Sequence, residues 1–112
     1  MKKIILVSII AFFVASTQAQ ENKFAANRAD NAVSLITKNM QISDSNIDFL
    51  RETLYNKYAS NALKIRGKNL TEDEKKQVYR SAFTETRKKL MNVFTNEEVK
   101  KIIKLEKESF KK

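Results

Sequence analysis

The chain has 112 residues, with 22 basic and 13 acidic side chains and no histidine, for a net charge of +9. It has no cysteine, no tryptophan, no proline and a single glycine, Gly67. These absences exclude a Cys/His nucleophilic pair, a Ser-His-Asp triad, an ordinary zinc or copper site and a glycine-rich phosphate cradle. A two-carboxylate glycosidase site survives the composition test. Most of the acids, however, stand at helix starts or beside lysines, where capping and solvation account for them. No enzymatic activity, cofactor or metal is expected.

The first segment reads as an export signal. Met1-Lys2-Lys3 opens the chain, residues 4–15 run without a charge, and Ser16-Thr17-Gln18-Ala19 closes the stretch with small and polar residues. A basic start, a short apolar run and a small-x-small end form the layout of a cleaved secretory signal. The competing reading is a membrane anchor, which needs roughly 20 apolar residues and is not reached here. The expected cut follows Ala19, and no cysteine stands there to carry a lipid. The remainder, residues 20–112, loses Lys2 and Lys3 and carries +7. It is long enough for one domain with a modest core. Without disulfides to staple it, further stability has to come from helix packing or from a second subunit.

Four helical segments follow, and the expected fold class is all-α. The first spans about 24–40, with Ala25, Ala29, Ala32, Val33, Ile36 and Met40 on one stripe at spacings of three and four. The second spans about 44–66. Its main stripe is Ile47, Leu50, Leu54, Tyr58, Asn61 and Ile65, and Gly67 stands where a left-handed cap ends a helix. The third, about 72–93, presents Tyr79, Ala82, Phe83, Thr86, Leu90 and Val93; the fourth, about 96–110, presents Val99, Ile102, Ile103 and Phe110.

Three helix starts share one pattern. Ile42-Ser43-Asp44-Ser45-Asn46, Leu70-Thr71-Glu72-Asp73-Glu74 and Phe94-Thr95-Asn96-Glu97-Glu98 each set an apolar residue before a hydroxyl, with Asn or Glu three residues on. The hydroxyls of Ser43, Thr71 and Thr95 can accept from an orphan N–H of the first turn. Asn46, Glu74 and Glu98 can reach back to the cap's own N–H, as in a capping box. The apolar residue ahead of each cap sits where a hydrophobic staple would pin the incoming chain. Ordinary capping of any three helices would also give this pattern.

The starts at Ile42 and Phe94, the leader, the helix lengths and the basic balance resemble the Spy/CpxP-like family of small exported bacterial proteins, which carry repeated Leu-Thr-x-x-Gln motifs at helix starts. The likeness covers most of residues 20–112, and residues 90–101 are most similar to the family's second motif. Here Ile-Ser-x-x-Asn and Phe-Thr-x-x-Glu replace the strict signature, so the capping chemistry is kept while the motif itself is degenerate. The resemblance implies a four-helix cradle or bundle-like hairpins, an antiparallel homodimer, and an ATP-independent, stress-related chaperone of the periplasm. The same leader would also serve secretion into the medium. Zinc binding through histidines, found in some relatives, is not carried over to a chain without histidine.

A candidate client surface comes from the second helix, where Phe49, Ala59 and Leu63 fall opposite the main stripe. A helix apolar on two sides is covered twice or exposes one side. Coverage by a dimer partner or another helix is one reading. The other is a client patch flanked by Arg51, Lys57 and Arg66. Arg80 and Arg87 of the third helix, with Lys88 and Lys89, and the six lysines 100, 101, 104, 107, 111 and 112 supply the remaining charge. Much of it reads as solvated face, with Glu85/Lys89 and Glu97/Lys101 as expected i,i+4 pairs. The excess attracts acidic partners. Export argues against nucleic acid as that partner, leaving unfolded acidic polypeptides or an anionic envelope surface.

The functional expectation is electrostatic capture of unfolded or partly folded polypeptides by Arg51, Lys57, Arg80 and Arg87, followed by apolar contact through Phe49 and Leu63 with Arg66 alongside. The alternative is an adaptor or regulator that docks one folded partner or the envelope surface through the same helix. On export, the intact mass of the chain recovered from an expressing bacterium should correspond to a start at Gln20. A product still beginning at Met1 would remove the export reading.

Overall fold

Helix formation starts from the caps. A computed structural model describes residues 22–111; the proposed leader and its cut lie outside them. Four helices follow one another: α1 (Lys23–Asn39), α2 (Asp44–Ile65), α3 (Glu72–Met91) and α4 (Asn96–Glu108). The Asn22 side chain accepts from the N–H of Ala25 at the start of α1. Thr71 with Glu74, and Thr95 with Glu98, close full capping boxes at α3 and α4. At α2 only the hydroxyl half forms: Ser43 accepts from the Asn46 N–H, and the Asn46 side chain makes no return bond to Ser43. The amide of Asn46 is one methylene shorter than the carboxylate of Glu74 or Glu98, which accounts for the missing half.

The staple positions differ in the same way. Phe94 and Val99, before and after the α4 cap, are both buried in the core, and Ile42 and Ile47 around the α2 cap both pack against it. At α3 the position that should meet Leu70 is Lys75, so no apolar staple is available there. The α2 end is set by Gly67, whose φ of +68° lies in the left-handed region that a side chain disfavours.

Each helix runs antiparallel to the next, and α4 returns against α1. The Asn22 N–H donates to the Tyr55 hydroxyl, and Arg51 meets Asp30 at 3.0 Å, so advancing along α1 from its start runs backwards along α2 from its middle. α1 contacts α2 and α4, while α3 contacts α2 and, least closely of the four pairs, α4. Pairs on the diagonals do not approach in their backbones. The result is an up-down-up-down bundle.

One end of the bundle is closed and the other is open. Ile36, Leu50, Leu54, Leu90, Phe94, Val99 and Ile102 fill the closed end, beside the α1–α2 and α3–α4 connections. Along α1 the buried residues toward its start are alanines, Ala25, Ala29 and Ala32, which let α2 approach closely. The open end gathers the start of α1, the α2–α3 connection and the end of α4. There the inward stripe of α3 outruns its cover: Thr86 and Leu90 are buried, whereas Tyr79 and Phe83, on the same stripe, are 54% and 38% exposed. Val93, expected to extend that stripe, lies beyond the end of α3 and is exposed, and Phe94 takes the core position instead. Neither expected pair, Glu85/Lys89 or Glu97/Lys101, closes; the ion pairs among the described residues are Arg51 with Asp30 and Asp48, Lys57 with Glu106, and Lys75 with Glu72.

Nothing lies within 4 Å of a Cβ built on Gly67, so a substitution there tests backbone conformation alone. Gly67→Ala should cost about 1 kcal/mol through the left-handed φ. The midpoint of urea unfolding measures it, and an unchanged midpoint would mean that α2 does not end in this cap in solution.

Candidate functional site

The open end carries a cluster of aromatic rings and cations contributed by all four helices. Phe24 and Arg28 stand one turn apart on α1, with the Arg28 guanidinium carbon 5.3 Å from the Phe24 ring centre and 4.4 Å from that of Phe110, just past α4. Phe110 meets Tyr58 of α2 edge to face, with centroids 5.7 Å apart. On the other side Lys107 of α4 lies 5.9 Å from the Phe83 ring of α3. Cation–ring contacts of this kind are worth about 0.5–2 kcal/mol each. They hold the chain after α4 on α1 and order rings that would otherwise be loose.

A cleft of about 320 Å³ opens among these groups. Its apolar wall is Phe24, Tyr58, Ala62, Ile65 and Tyr79. Its polar rim is Arg28, Asn61 and Arg66, with no carboxylate in the lining. The cleft therefore offers aromatic surface under two guanidinium groups. Among the described residues no three acidic side chains converge to hold a metal ion.

Behind the cleft lies a buried carboxylate. Glu106 of α4 is 3% exposed and accepts from the Tyr58 hydroxyl at 2.6 Å and the Lys57 ammonium at 2.8 Å. Tyr58 thus has two jobs: its hydroxyl satisfies Glu106, and its ring forms part of the cleft wall. Burial pushes the Tyr58 hydroxyl well above the ordinary tyrosine range, and the Glu106 charge and hydrogen bond push it further up, against an opposite effect of Arg28.

The residues expected to bind clients are dispersed. Phe49 does not offer a free ring: it is half-buried toward the closed end and packs on Phe94, centroids 6.4 Å apart. Lys57 is not a capture group either, because its ammonium is spent on Glu106 and its side chain is only 16% exposed. Arg51 is exposed but engaged by Asp30 and Asp48 in the α1–α2 groove. Leu63 is 77% exposed on α2, outside the cleft. Arg66 lies on the cleft rim, and Arg80 and Arg87 are exposed on α3, none of the three in an ion pair among the described residues. Of the seven, only Arg66 belongs to the aromatic cleft. The cap residues Ser43, Asn46, Thr71, Glu74, Thr95 and Glu98 sit at helix starts and away from it.

Phe24, Arg28 and Glu106 went unassigned in the sequence reading, although each left a signal. Phe24 and Arg28 are four apart, the spacing at which a cation covers a ring on one helix face. Glu106 follows Ile102 by four and Val99 by seven, which sets a carboxylate on the apolar stripe of α4. Comparison of the chain with protein-family models, curated proteins and solved structures finds no match.

The Tyr58 shift has a sign. Its folded-state pKa lies above the unfolded value of about 10. The stabilisation is therefore complete below that value and is lost as pH rises beyond it. In an alkaline titration followed by phenolate absorbance and helicity, one tyrosine's signal should appear only as helicity is lost. Tyr58→Phe should remove that late step. Full ionisation with helicity intact would show that Tyr58 is not held by Glu106.

Proposed function

We propose that this protein is an exported, chaperone-like binder of unfolded or partly folded polypeptides that works without ATP. The observation that carries the reading is the uncovered inward stripe of α3. Tyr79 and Phe83 are spaced and oriented as core residues, yet they stay open to solvent at the end where Phe24 and Phe110 are also exposed. Contiguous apolar surface of this kind, rimmed by polar groups, is characteristic of a binding surface. The resemblance to the Spy/CpxP-like family supports the same function, as does the leader that reads as an export signal. An antiparallel homodimer belongs to the proposal, because a chain of this size without disulfides gains stability from a second subunit.

The mechanism follows from which cations are free. Arg51 and Lys57 are engaged within the bundle, so capture falls to Arg66, Arg80 and Arg87, which are exposed and unpaired among the described residues. Long-range attraction brings an acidic or mixed polypeptide to this side. Loose contact with Tyr79, Phe83, Phe110 and Leu63 then delays its aggregation. One observation favours the adaptor reading instead: the cleft is concave and its rings brace one another, a shape suited to one defined partner.

The test dilutes a denatured model protein out of denaturant with and without the processed chain (residues 20–112), without ATP, at low and high salt. Near-stoichiometric suppression of aggregation that weakens with salt is expected, since exposed charges are screened beyond about 8 Å at physiological ionic strength. No suppression at any salt concentration would discard the chaperone reading and leave the single-partner adaptor.

A further inference from the structure

We infer that the cleft at the open end is a specific peptide site, taking one aromatic or large aliphatic side chain with a carboxylate beside it in the same polypeptide. The inference deepens the proposed function and rests on it for the nature of the ligand as polypeptide. It names which segments of a client are recognised and where.

The size of the cleft limits the ligand. At about 320 Å³ it stands at the small end of the range for ligand pockets, about 300–1,000 Å³. That admits one large side chain and its neighbouring backbone, and is too small for a docked helix. The wall matches an apolar occupant: Phe24, Tyr58 and Tyr79 present rings, and Ile65 presents an aliphatic surface. Tyr58 is pinned at its hydroxyl by Glu106 and at its ring edge by Phe110, so this part of the wall is preformed. A preformed wall lowers the ordering cost of binding.

Charge decides the rest. The lining holds Arg28 and Arg66 and no acid, and the carboxylate behind it, Glu106, accepts from both Tyr58 and Lys57 through its Oε2. Arg28 lies over the Phe24 and Phe110 rings, and among the described residues its guanidinium N–H groups make no hydrogen bond or ion pair, so they remain able to donate. Arg66 makes no ion pair among the described residues. Two guanidinium groups above an aromatic floor complement a carboxylate next to an apolar side chain. A basic neighbour in the same position would be repelled, so the site discriminates by charge sign as well as by apolar content.

Tyrosine emission reads the site directly, because the chain has no tryptophan and two of its three tyrosines, Tyr58 and Tyr79, line the cleft. The probe is a short blocked peptide alternating Glu and Phe, titrated into protein recovered from the envelope fraction of an expressing bacterium. The controls are the same peptide with Lys for Glu and with Ser for Phe. The Glu/Phe peptide should change the emission saturably, and both controls should bind at least tenfold more weakly. Arg66→Gln and Arg28→Gln should each weaken the Glu/Phe peptide roughly tenfold, as expected for loss of one charge-assisted bond. Lys101→Gln, on exposed α4 surface away from the cleft, should leave it unchanged. Arg66 makes no ion pair among the described residues, so its variant keeps the test sound if Arg28→Gln loosens the chain after α4.

Equal binding of the Glu/Phe and Lys/Phe peptides, or indifference of binding to both arginine variants, would overturn the inference. The aggregation assay on the same samples separates the two proposals. Suppression without selective peptide binding leaves the chaperone reading standing and removes the cleft. Selective, arginine-dependent peptide binding without suppression does the reverse.

Discussion

Glu106 joins two helices whose backbones never come close. α2 and α4 lie on a diagonal of the bundle, with no Cα atoms within 8 Å of one another, yet Tyr58 and Lys57 of α2 both donate to the one carboxylate of α4. A carboxylate held 3% exposed is tolerable only with such partners. Breaking a buried charge pair by removing one partner costs about 3–5 kcal/mol. Any other placement of α4 that kept Val99, Ile102 and Leu105 in the core but missed Tyr58 and Lys57 would carry that penalty. Apolar packing alone is tolerant of a slide along the helix; this polar contact is not, and it sets where α4 stops.

Where α4 stops determines what is left open. α3 and α4 are the least closely packed of the neighbouring pairs, and α4, with 13 residues, is shorter than α3, with 20, so the start of α3 is only loosely covered on that side. Tyr79 and Phe83 share the stripe of the buried Thr86 and Leu90, yet both stay exposed, Phe83 with Lys107 of α4 beside its ring. Phe110 is then free to fold over Tyr58 and Arg28, and the cluster of rings and cations assembles from segments far apart in the chain. The closed end bears the core, with Ile36, Leu50, Leu90 and Ile102 fully buried, while the open end is stabilised by ring–cation and ring–ring contacts. Such contacts are individually weak, so the open end keeps its rings in place through several of them acting together.

Local chemistry was the part most open to reading from residues. Hydroxyl caps at Ser43, Thr71 and Thr95 and the glycine cap at Gly67 depend on atoms within a few positions of one another, and the helix starts and stops follow from them. The stripe Ala25, Ala29, Ala32, Val33 and Ile36 is likewise a matter of spacing, and all five residues are buried. The second apolar side of α2 was visible in the same way, but its fate was not. Phe49 is covered by Phe94, while Leu63, about four turns further along the helix, is exposed. Identical spacing gives opposite burial, because the cover comes from the α3–α4 connection and reaches only one end of α2.

The sequence by itself determined the helices, their caps and which face of each turns inward, because those depend on interactions between near neighbours in the chain. The tertiary structure alone decided which cations are spent and which rings stay uncovered. Lys57 and Glu106 are separated by 49 positions, and Arg28 and Phe110 by the length of the bundle's sequence. Whether a charge is free to meet a ligand depends on what lies across from it in space, and periodicity carries no information about that.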